Sequence, residues 1–360
     1  MKPSSTEVTL LSDLVAIPSI SGDEEAVARF AEETARAARL DVVRDSSGVR
    51  VEVRGKRPGP TLAFVTHLDV VPPGDGWTRD PFTPVIDDGR LYGRGSGDAK
   101  ASVTAMLLAA HDIAQRGGPP AGRLLVILGY GEETRNTSMP QAVARAGEIA
   151  AAVVGEPTNL DIAVAQRGLM MVDLVAHGEQ RHAGYADSSS RDDGFVNATQ
   201  VLAHDLVALR DIARHRRHPV LGFPTITPTM LEAGVGRNVT PPTARAVLDV
   251  RSTPAWPHSD LADALREALE SEVVVTSDRL VPCETPEGST LLAAARRVRP
   301  QAKTFGSPTC SDWVFLRDRD AIKCGPGTSR NSHTPDEWVL IDEVGAARDF
   351  YARLALEYLA

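Results

Sequence analysis

The stretch "TLAFVTHLD", residues 61–69, is an apolar run with the length of a strand, and it ends in a histidine and a carboxylate. Residues two apart on a strand point to the same side, so His67 and Asp69 face the same way. A lone histidine and aspartate at this spacing are better explained as a polar strand end at the surface. A functional interpretation requires further acids and histidines at the ends of other predicted strands.

Predicted helices and strands alternate on both sides of this stretch. A helix is predicted from Lys100, and buried strands are predicted at "RLLVILGYG", residues 123–131, and "AAVVGEP", residues 151–157. A further helix is expected after "SGDE", residues 21–24, which has the spacing of a capping box. This alternation predicts an α/β fold in which helices flank a mixed, mostly parallel sheet.

The pattern of elements changes near residue 167. Over residues 167–279 the predicted elements follow the order β-α-β-β-α-β, which is typical of a ferredoxin-like unit. From about residue 280 the alternating α/β pattern resumes. We therefore predict a catalytic domain formed by residues 1–166 and 280–360, with a ferredoxin-like α+β domain, residues 167–279, inserted into it.

Length and composition narrow the class of protein. A chain of 360 residues exceeds one typical hydrophobic core, which favours more than one domain. The net charge of −9 argues against a nucleic-acid partner. Cys283, Cys310 and Cys324 fit no disulfide framework, and no apolar run approaches the length of a membrane span. We therefore expect a soluble cytoplasmic protein with no membrane partner.

Further acids and histidines do follow other strand-like runs. "GRGSGDAK" places Asp98 before a predicted helix, "GEE" carries Glu132 and Glu133, "GEPT" carries Glu156, and "HTPDEW" carries His333. Each motif alone has a structural explanation, but together they gather where ligand sites of α/β sheets form. Imidazole and carboxylate ligands without a thiolate suit zinc, with cobalt or manganese as alternatives. The surplus of acids favours two divalent ions bridged by a carboxylate.

These motifs, "HLDVVPP", "GRGSGDAK", "GEE", "GEPT" and "HTPDEW", resemble in order and spacing those of the co-catalytic zinc aminoacylase and peptidase family. That family includes acetylornithine deacetylase, succinyl-diaminopimelate desuccinylase and acetyl-lysine deacetylase, enzymes of arginine and lysine biosynthesis. The resemblance covers essentially the whole chain, including the inserted domain. It implies a zinc-peptidase-like α/β fold and a pair of metal ions in each chain.

Carried over by position, the resemblance implies roles for seven residues of the predicted catalytic domain. Asp98 would bridge the two ions, and the other ligands would be His67 and Glu156 for one ion, and Glu133 and His333 for the second. Glu132 would be the general base, and Asp69 would orient His67. The peptide bond that follows the bridging aspartate is typically cis in this family.

The inserted domain also carries motifs that resemble the family. "GEQRHAGYA" resembles a glycine-rich turn with a catalytic histidine, here His182. "GVGRNVTPPTARAVLDVR" resembles a segment whose asparagine and arginine contact the substrate, here Asn238 and Arg251. In dimeric members the inserted domains pair edge to edge, and this histidine reaches the active site of the partner subunit. The resemblance therefore implies a homodimer. Without the resemblance, His182 would be interpreted as a solvated loop histidine.

Three departures from the family bear on the substrate. Ala101 replaces the usual glycine after Lys100, "EETRN" lacks a glycine after the glutamate pair, and "SPTCSDW" replaces a loop of small residues. "EETRN" resembles the acetylornithine and acetylcitrulline branch more than the desuccinylases. We therefore expect hydrolysis of an N-acetyl amino acid, such as N-acetylornithine, N-acetyl-lysine or N-acetylcitrulline.

Other interpretations of the chain stay open at this point. A succinyl-diaminopimelate desuccinylase or a dipeptidase would use the same two-metal site. A non-catalytic relative that binds an amino acid would be expected to lack a ligand or the base, whereas this sequence retains all of them. A structural α/β protein with coincidental acids would bind no metal.

Overall fold

The computed structural model describes residues 6–186 and 195–360. The chain divides into two compact units. The first unit comprises Met1–Val164, Thr285–Phe305 and Ser311–Ala360, and the second comprises Ala165–Glu284 and Gly306–Cys310. The domain boundaries expected at 166/167 and 279/280, and the pairing role of the inserted part, stay predictions.

Eight α-helices lie in residues 6–186 and 195–360. They are α1 (Thr6–Val15), α2 (Glu25–Ala37), α3 (Lys100–Gln115), α4 (Ser138–Ala146), α5 (Ala198–Ile212), α6 (His258–Ala268), α7 (Thr290–Val298) and α8 (Ile341–Tyr358). Short 3-10 turns occur at Ala183–Tyr185 and Asp312–Leu316. Within the same residues, no helix combines the length and the apolar character that a membrane crossing needs.

The same two ranges contain sixteen β-strands. They are β1 (Asp41–Asp45), β2 (Gly48–Arg54), β3 (Thr61–His67), β4 (Val85–Asp87), β5 (Arg90–Tyr92), β6 (Arg123–Gly129), β7 (Ala151–Val154), β8 (Ile162–Gln166), β9 (Leu169–His177), β10 (Thr225–Ala233), β11 (Thr243–Arg251), β12 (Glu272–Leu280), β13 (Cys283–Glu284), β14 (Thr304–Ser307), β15 (Asp320–Lys323) and β16 (Trp338–Leu340).

A mixed sheet flanked by helices forms the first unit, as the sequence predicts. Its strands lie in the order β1-β2-β6-β3-β7-β15-β8. The central pairs β6–β3, β3–β7 and β7–β15 are parallel, and the outer pairs are antiparallel. Every residue of β3 is buried, because this strand runs through the apolar core between the sheet and its helices. A separate small sheet has the order β16-β5-β4.

Parallel pairing brings the carboxyl ends of three strands to one edge of this sheet. The Thr66 hydroxyl donates to the Gly155 carbonyl oxygen at 2.8 Å, which ties the end of β3 to the residue after β7. The Leu68 N–H donates to the Gly129 carbonyl oxygen at 2.9 Å, which ties it to the end of β6. The loops that follow β3, β6 and β7 therefore start side by side.

The second unit has the ferredoxin-like topology that its pattern predicts. Its elements follow the order β9-α5-β10-β11-α6-β12, and its strands lie in the antiparallel order β10-β11-β9-β12. Helices α5 and α6 pack on the sheet and share a second hydrophobic core with it. The short β13 pairs with the last two residues of β8. β10 forms an edge of the four-stranded sheet and is exposed along nearly its whole length.

The capping box predicted for residues 21–24 is wrong. Helix α2 begins at Glu25, and its N-cap residue Glu24 has helical backbone angles and makes no side-chain capping bond. The Ser21 hydroxyl donates instead to Asp69 Oδ2 at 2.6 Å. A buried carboxylate is a stronger acceptor than a neutral group, and here it lies within reach of the serine.

Candidate metal centre

His67 is the last residue of β3, and its side chain is 1% exposed. Its Nε2 atom lies 3.3 Å from Asp98 Oδ1 and 3.9 Å from Glu156 Oε1. Asp98 follows the glycine-rich turn before α3, and its peptide bond to Ala99 is cis, as the resemblance implies. One imidazole nitrogen and two carboxylate oxygens therefore face one another at the edge of the sheet.

The second oxygen of Asp98 faces a second histidine. His333 Nε2 lies 3.8 Å from Asp98 Oδ2 and 3.0 Å from Glu133 Oε2. One ligand atom from each of His67, Asp98 and Glu133 can be chosen so that all three lie within 4.8 Å of one another. Because the two oxygens of Asp98 face different histidines, the geometry suits a carboxylate that bridges two ions.

The carboxylates of this site lie close together, and this bears on whether the site can hold metal ions. Glu156 Oε1 is buried and finds no hydrogen-bond partner within the described residues. Burial and the negative charge of Asp98 raise the pKa of Glu156 to about 8. Carboxylates this close repel one another unless protons or cations neutralise them. Imidazoles and carboxylates without a thiolate therefore fit divalent ions such as zinc, cobalt or manganese.

Asp69 holds the ring of His67 from the other side. His67 Nδ1 lies 3.0 Å from the Asp69 carbonyl oxygen and 3.3 Å from its Oδ1. Burial opposes protonation of His67, but hydrogen bonds to Asp69 and Asp98 outweigh it and raise the pKa of His67. Burial likewise opposes ionisation of Asp69, yet the contact with His67 lowers the pKa of Asp69 to about 2. A proton kept on Nδ1 leaves Nε2 as the ligand atom.

The same carboxylate fixes the loop that carries Glu132 and Glu133. The N–H of Glu132 donates to Asp69 Oδ1 at 3.0 Å, and the N–H of Glu133 donates to Asp69 Oδ2 at 3.1 Å. The preceding Gly131 N–H donates to Glu24 Oε1 at 3.0 Å. Asp69 therefore links the position of the first histidine to that of the glutamate pair.

Glu132 has the electrostatic surroundings of a proton-transfer group. It keeps partial access to solvent, yet desolvation and the negative charges of Glu156 and Asp312 raise its pKa well above the usual range. A carboxylate whose pKa is raised towards neutrality can accept a proton and later return it.

Charged residues around this site were not among those predicted from the sequence. Glu337 Oε1 accepts from the N–H groups of Gly97 and Asp98, each at 3.0 Å, and its Oε2 accepts from Arg94 at 2.6 Å. Lys323 is buried in β15, and its positive charge lowers the pKa of Glu156 against the larger effect of burial. In the sequence, the available signals were the charge of Lys323 inside an apolar strand and that of Arg94 inside a glycine-rich turn.

Three predicted site residues belong to the second unit. His182 is exposed, and its Nδ1 accepts from the Gly184 N–H at 3.1 Å. Asn238 is exposed, and its backbone carbonyl oxygen accepts from the Ala183 N–H at 2.7 Å, so this unit holds it beside the turn of His182. Arg251 ends β11, and its Nε donates to Asp249 Oδ1 at 2.7 Å.

Comparison with known sequences identifies relatives. Residues 63–357 match the profile of peptidase family M20/M25/M40. The chain is 31% identical over 329 residues to succinyl-diaminopimelate desuccinylase 2 of Ruegeria sp. (strain TM1040), which covers 84% of this chain and 81% of the relative. It is 30% identical over 385 residues to a succinyl-diaminopimelate desuccinylase of Cereibacter sphaeroides (strain ATCC 17029 / ATH 2.4.9), covering 98% and 99%.

Solved structures share the fold. Aminopeptidase PepT from Bacillus cereus superposes with a TM-score of 0.83 at 18% identity, covering 99% of this chain and 98% of that one. The YXEP protein of Bacillus subtilis, a dinuclear metal binding peptidase, superposes with a TM-score of 0.72 at 16% identity, covering 98% and 97%.

Proposed function

The chain belongs to peptidase family M20/M25/M40 and is a metal-dependent hydrolase, and from this premise we propose that it cleaves the amide bond of an N-succinyl amino acid. N-succinyl-diaminopimelate is the first candidate substrate, because the two desuccinylases above are similar to this chain over most of their length. The names of these relatives favour the succinyl alternative over the acetyl interpretation. The observation that carries the hydrolytic part is the Asp98 carboxylate between two histidines, with Glu132 near enough to His67 and Glu156 for their charges to act on it.

The proposed metal site follows the geometry of the first unit. Two divalent ions per chain, zinc first, would share Asp98, and the remaining ligands would be His67 and Glu156 for one ion, and Glu133 and His333 for the other. The dinuclear peptidase of Bacillus subtilis, which shares the fold, supports a site for two ions. When bound, such ions polarise the amide carbonyl and lower the pKa of water.

Glu132 is the proposed proton carrier of the reaction. Its carboxylate accepts a proton from the attacking water as the water oxygen bonds to the amide carbon. It then delivers that proton to the leaving nitrogen as the carbon–nitrogen bond breaks. Its raised pKa suits both transfers, and the two N–H bonds to Asp69 keep the loop in place meanwhile.

The second unit would supply the contacts that recognise the substrate. Arg251 presents a guanidinium that can pair with a substrate carboxylate in two parallel hydrogen bonds. Asp249 holds that guanidinium by two bonds of 2.7 and 3.0 Å, which fixes its orientation. His182 and Asn238 would donate to the carbonyl oxygen as negative charge develops there.

A homodimer is part of the proposal, with His182 completing the site of the partner subunit. The exposed β10 supports it, because an unpaired edge strand can extend the sheet of a second copy. The test mixes His182→Ala and Glu132→Gln subunits by joint refolding. Activity in up to roughly one quarter of all sites is expected for random mixing. Proven heterodimers without recovered activity would show that His182 does not act across subunits.

The experiment on function measures turnover of matched N-succinyl and N-acetyl amino acids and of dipeptides, with zinc or cobalt added. Glu132→Gln serves as the control, since it keeps the ligand set. Preference for N-succinyl-diaminopimelate is the expected result. Preference for an N-acetyl amino acid would restore the acetyl interpretation, and preference for dipeptides would indicate a peptidase. Bound metal without any turnover would indicate a non-catalytic relative.

The cytoplasm is the proposed compartment. Within the described residues Cys283, Cys310 and Cys324 form no disulfide bond, which suits a reducing environment. Fractionation of cells that produce the protein would test this, and recovery outside the cytoplasm would contradict it.

A further inference from the structure

The segment 19–21 lies beside the residues that follow β3. The Val70 N–H donates to the Ser19 carbonyl oxygen at 2.9 Å, and the Ser21 N–H donates to the Val70 carbonyl oxygen at 3.2 Å. Ile20 pairs with Val70 in a parallel bridge. The Ser19 hydroxyl adds a bond of 2.8 Å to the Leu68 carbonyl oxygen, so Ser19 and the backbone anchor this segment and the Ser21 side chain points elsewhere.

From these contacts we propose that Ser21 and Glu24 are positioning residues of the reaction, although neither touches the substrate or a metal ligand. Ser21 would orient the carboxylate of Asp69, and this carboxylate would in turn orient His67. Glu24 would hold the backbone of Gly131, and Gly131 would in turn position Glu132. This inference rests on the proposed function for its link to catalysis.

Glu24 acts at the start of the glutamate loop. Its side chain is 8% exposed, and its Oε1 accepts from the N–H groups of Gly22 and Gly131, each at 3.0 Å. Gly131 has a φ of 65°, which glycine adopts without strain. The Gly131 carbonyl oxygen accepts in turn from the Asn136 N–H at 2.7 Å, which closes the loop. Fixing Gly131 therefore fixes the direction in which Glu132 leaves the sheet.

Ser21 contacts the carboxylate of Asp69, which holds both His67 and the loop of the glutamate pair. Its hydroxyl donates to Asp69 Oδ2 at 2.6 Å, the same oxygen that accepts from the Glu133 N–H. Asp69 is fully buried, so it has no water to replace a lost donor. Loss of the Ser21 hydroxyl would therefore leave Oδ2 with the Glu133 N–H as its donor and loosen the carboxylate that holds His67.

Both contacts come from residues 21–24, so a single segment of the chain contacts the supports of both His67 and Glu132. The proposed general base lies in the loop after β6 and the first histidine ends β3, and a common scaffold keeps their spacing constant. Catalytic geometry generally has to be held within about 0.5 Å. Loss of a partner that orients a metal ligand typically costs about 10- to 100-fold in activity or metal affinity.

The test of Glu24 compares an alanine with a glutamine variant. Glu24→Ala removes the acceptor, and kcat should fall about 10- to 100-fold while KM stays nearly constant. Glu24→Gln keeps an oxygen that can accept both N–H groups, so it should recover most of the lost kcat. The matched control is Glu25→Ala, since Glu25 is exposed and pairs with Arg44, and it should behave like wild type. A Glu24→Ala variant with wild-type kcat would overturn the proposal, as would a glutamine variant no better than alanine.

The test of Ser21 measures metal affinity by competition with a chelator. Ser21→Ala should bind the more weakly held ion, or both ions, about 10-fold less tightly. Ser21→Thr keeps the hydroxyl and should restore the affinity. Unchanged affinity in Ser21→Ala would remove Ser21 from the proposal.

Hydrogen exchange separates this inference from the proposed function, because it requires no turnover. In the metal-free protein, Glu24→Ala should speed exchange in a peptide covering residues 129–136, and Glu25→Ala should not. If wild type hydrolyses no N-acyl amino acid, the proposed function fails, and the exchange and affinity data still decide the positioning role. Unchanged exchange in Glu24→Ala would refute the contact itself.

Discussion

Replacing Glu337 with glutamine should destabilise the first unit by about 3 kcal/mol, at the lower end of the cost of breaking a buried ion pair. Glu337 and Arg94 are each 1% exposed, and their charged atoms lie 2.6 Å apart. The substitution removes the negative charge and leaves the arginine charged in the core, because arginine does not lose its proton in proteins.

Two features of the structure keep the expected loss moderate. Arg94 also donates to the carbonyl oxygens of Pro73 at 3.1 Å and Thr334 at 3.4 Å, and it lies over the Trp77 ring at 5.1 Å. Glutamine at position 337 keeps an oxygen that can accept from the Gly97 and Asp98 N–H groups. The free energy of unfolding that is lost therefore comes mainly from the negative charge of Glu337 that neutralises Arg94.

Urea unfolding followed by tryptophan emission measures this loss. Trp77, Trp313 and Trp338 lie in the first unit, and Trp256 in the second, so emission reports mainly the unit that carries the change. With a slope of about 3 kcal/mol per molar urea, the midpoint should fall by about 1 M.

An exposed ion pair provides the matched control. Arg297 and Glu357 are also 2.6 Å apart, but their side chains are 60% and 41% exposed. Glu357→Gln should cost less than about 1 kcal/mol. Adding Arg94→Met to Glu337→Gln should recover part of the stability, because no uncompensated charge remains. A loss for Glu337→Gln as small as that for Glu357→Gln would refute this reasoning.

Three further predictions concern the reaction and its metals. Glu132→Gln should keep metal binding and lose at least about 100-fold in turnover, whereas Glu133→Gln should weaken one metal site; steady-state kinetics and metal analysis separate the two. Calorimetric titration should show two ions per chain with unequal affinity, and saturation at one ion with full activity would contradict the shared Asp98. Hydrogen bonds to carboxylates outweigh burial at His67, and at His333 the bond to Glu133 is the largest effect, so both pKa values lie above 6.5. Protons therefore compete with metal as the pH falls through those values, and affinity should begin to drop at a higher pH than ordinary histidine ligands would give; a pH-independent affinity would argue against these ligands.

The grouping of three candidate ligands was predictable because the strands that precede them are parallel and adjacent. His67 ends β3, Glu133 follows β6, and Glu156 follows β7. Once the sequence indicates a parallel sheet, the carboxyl ends of its strands meet at one edge, and so do the residues after them. His333 comes from a loop between distant segments, and only the resemblance to a family indicated its role.

The contacts that hold the site in place were not predictable from local pattern. Ser21 and Glu24 have the spacing of a capping box, and nothing in four letters indicates that a carboxylate 48 residues away competes for the serine hydroxyl. Glu24 bonds to a backbone N–H 107 residues away. Such pairings are decided by the packing of segments that are remote in sequence, so the local rule gave a wrong assignment at this position.

The acetyl interpretation rested on Thr134 and Arg135 in "EETRN", and the structure brings this motif into contact with "SPTCSDW", the other motif that departs from the family. Asn136, at the end of the first motif, donates from Nδ2 to Asp312 Oδ1 in the second at 3.2 Å. The two residues are 4% and 2% exposed. Buried polar groups are costly unless they are paired, so these positions are constrained by each other. The bond between Asn136 and Asp312 therefore holds the glutamate loop against the 3-10 turn, so the departures in the two motifs lie on segments that are joined to each other and should be exchanged together in any test of acyl preference.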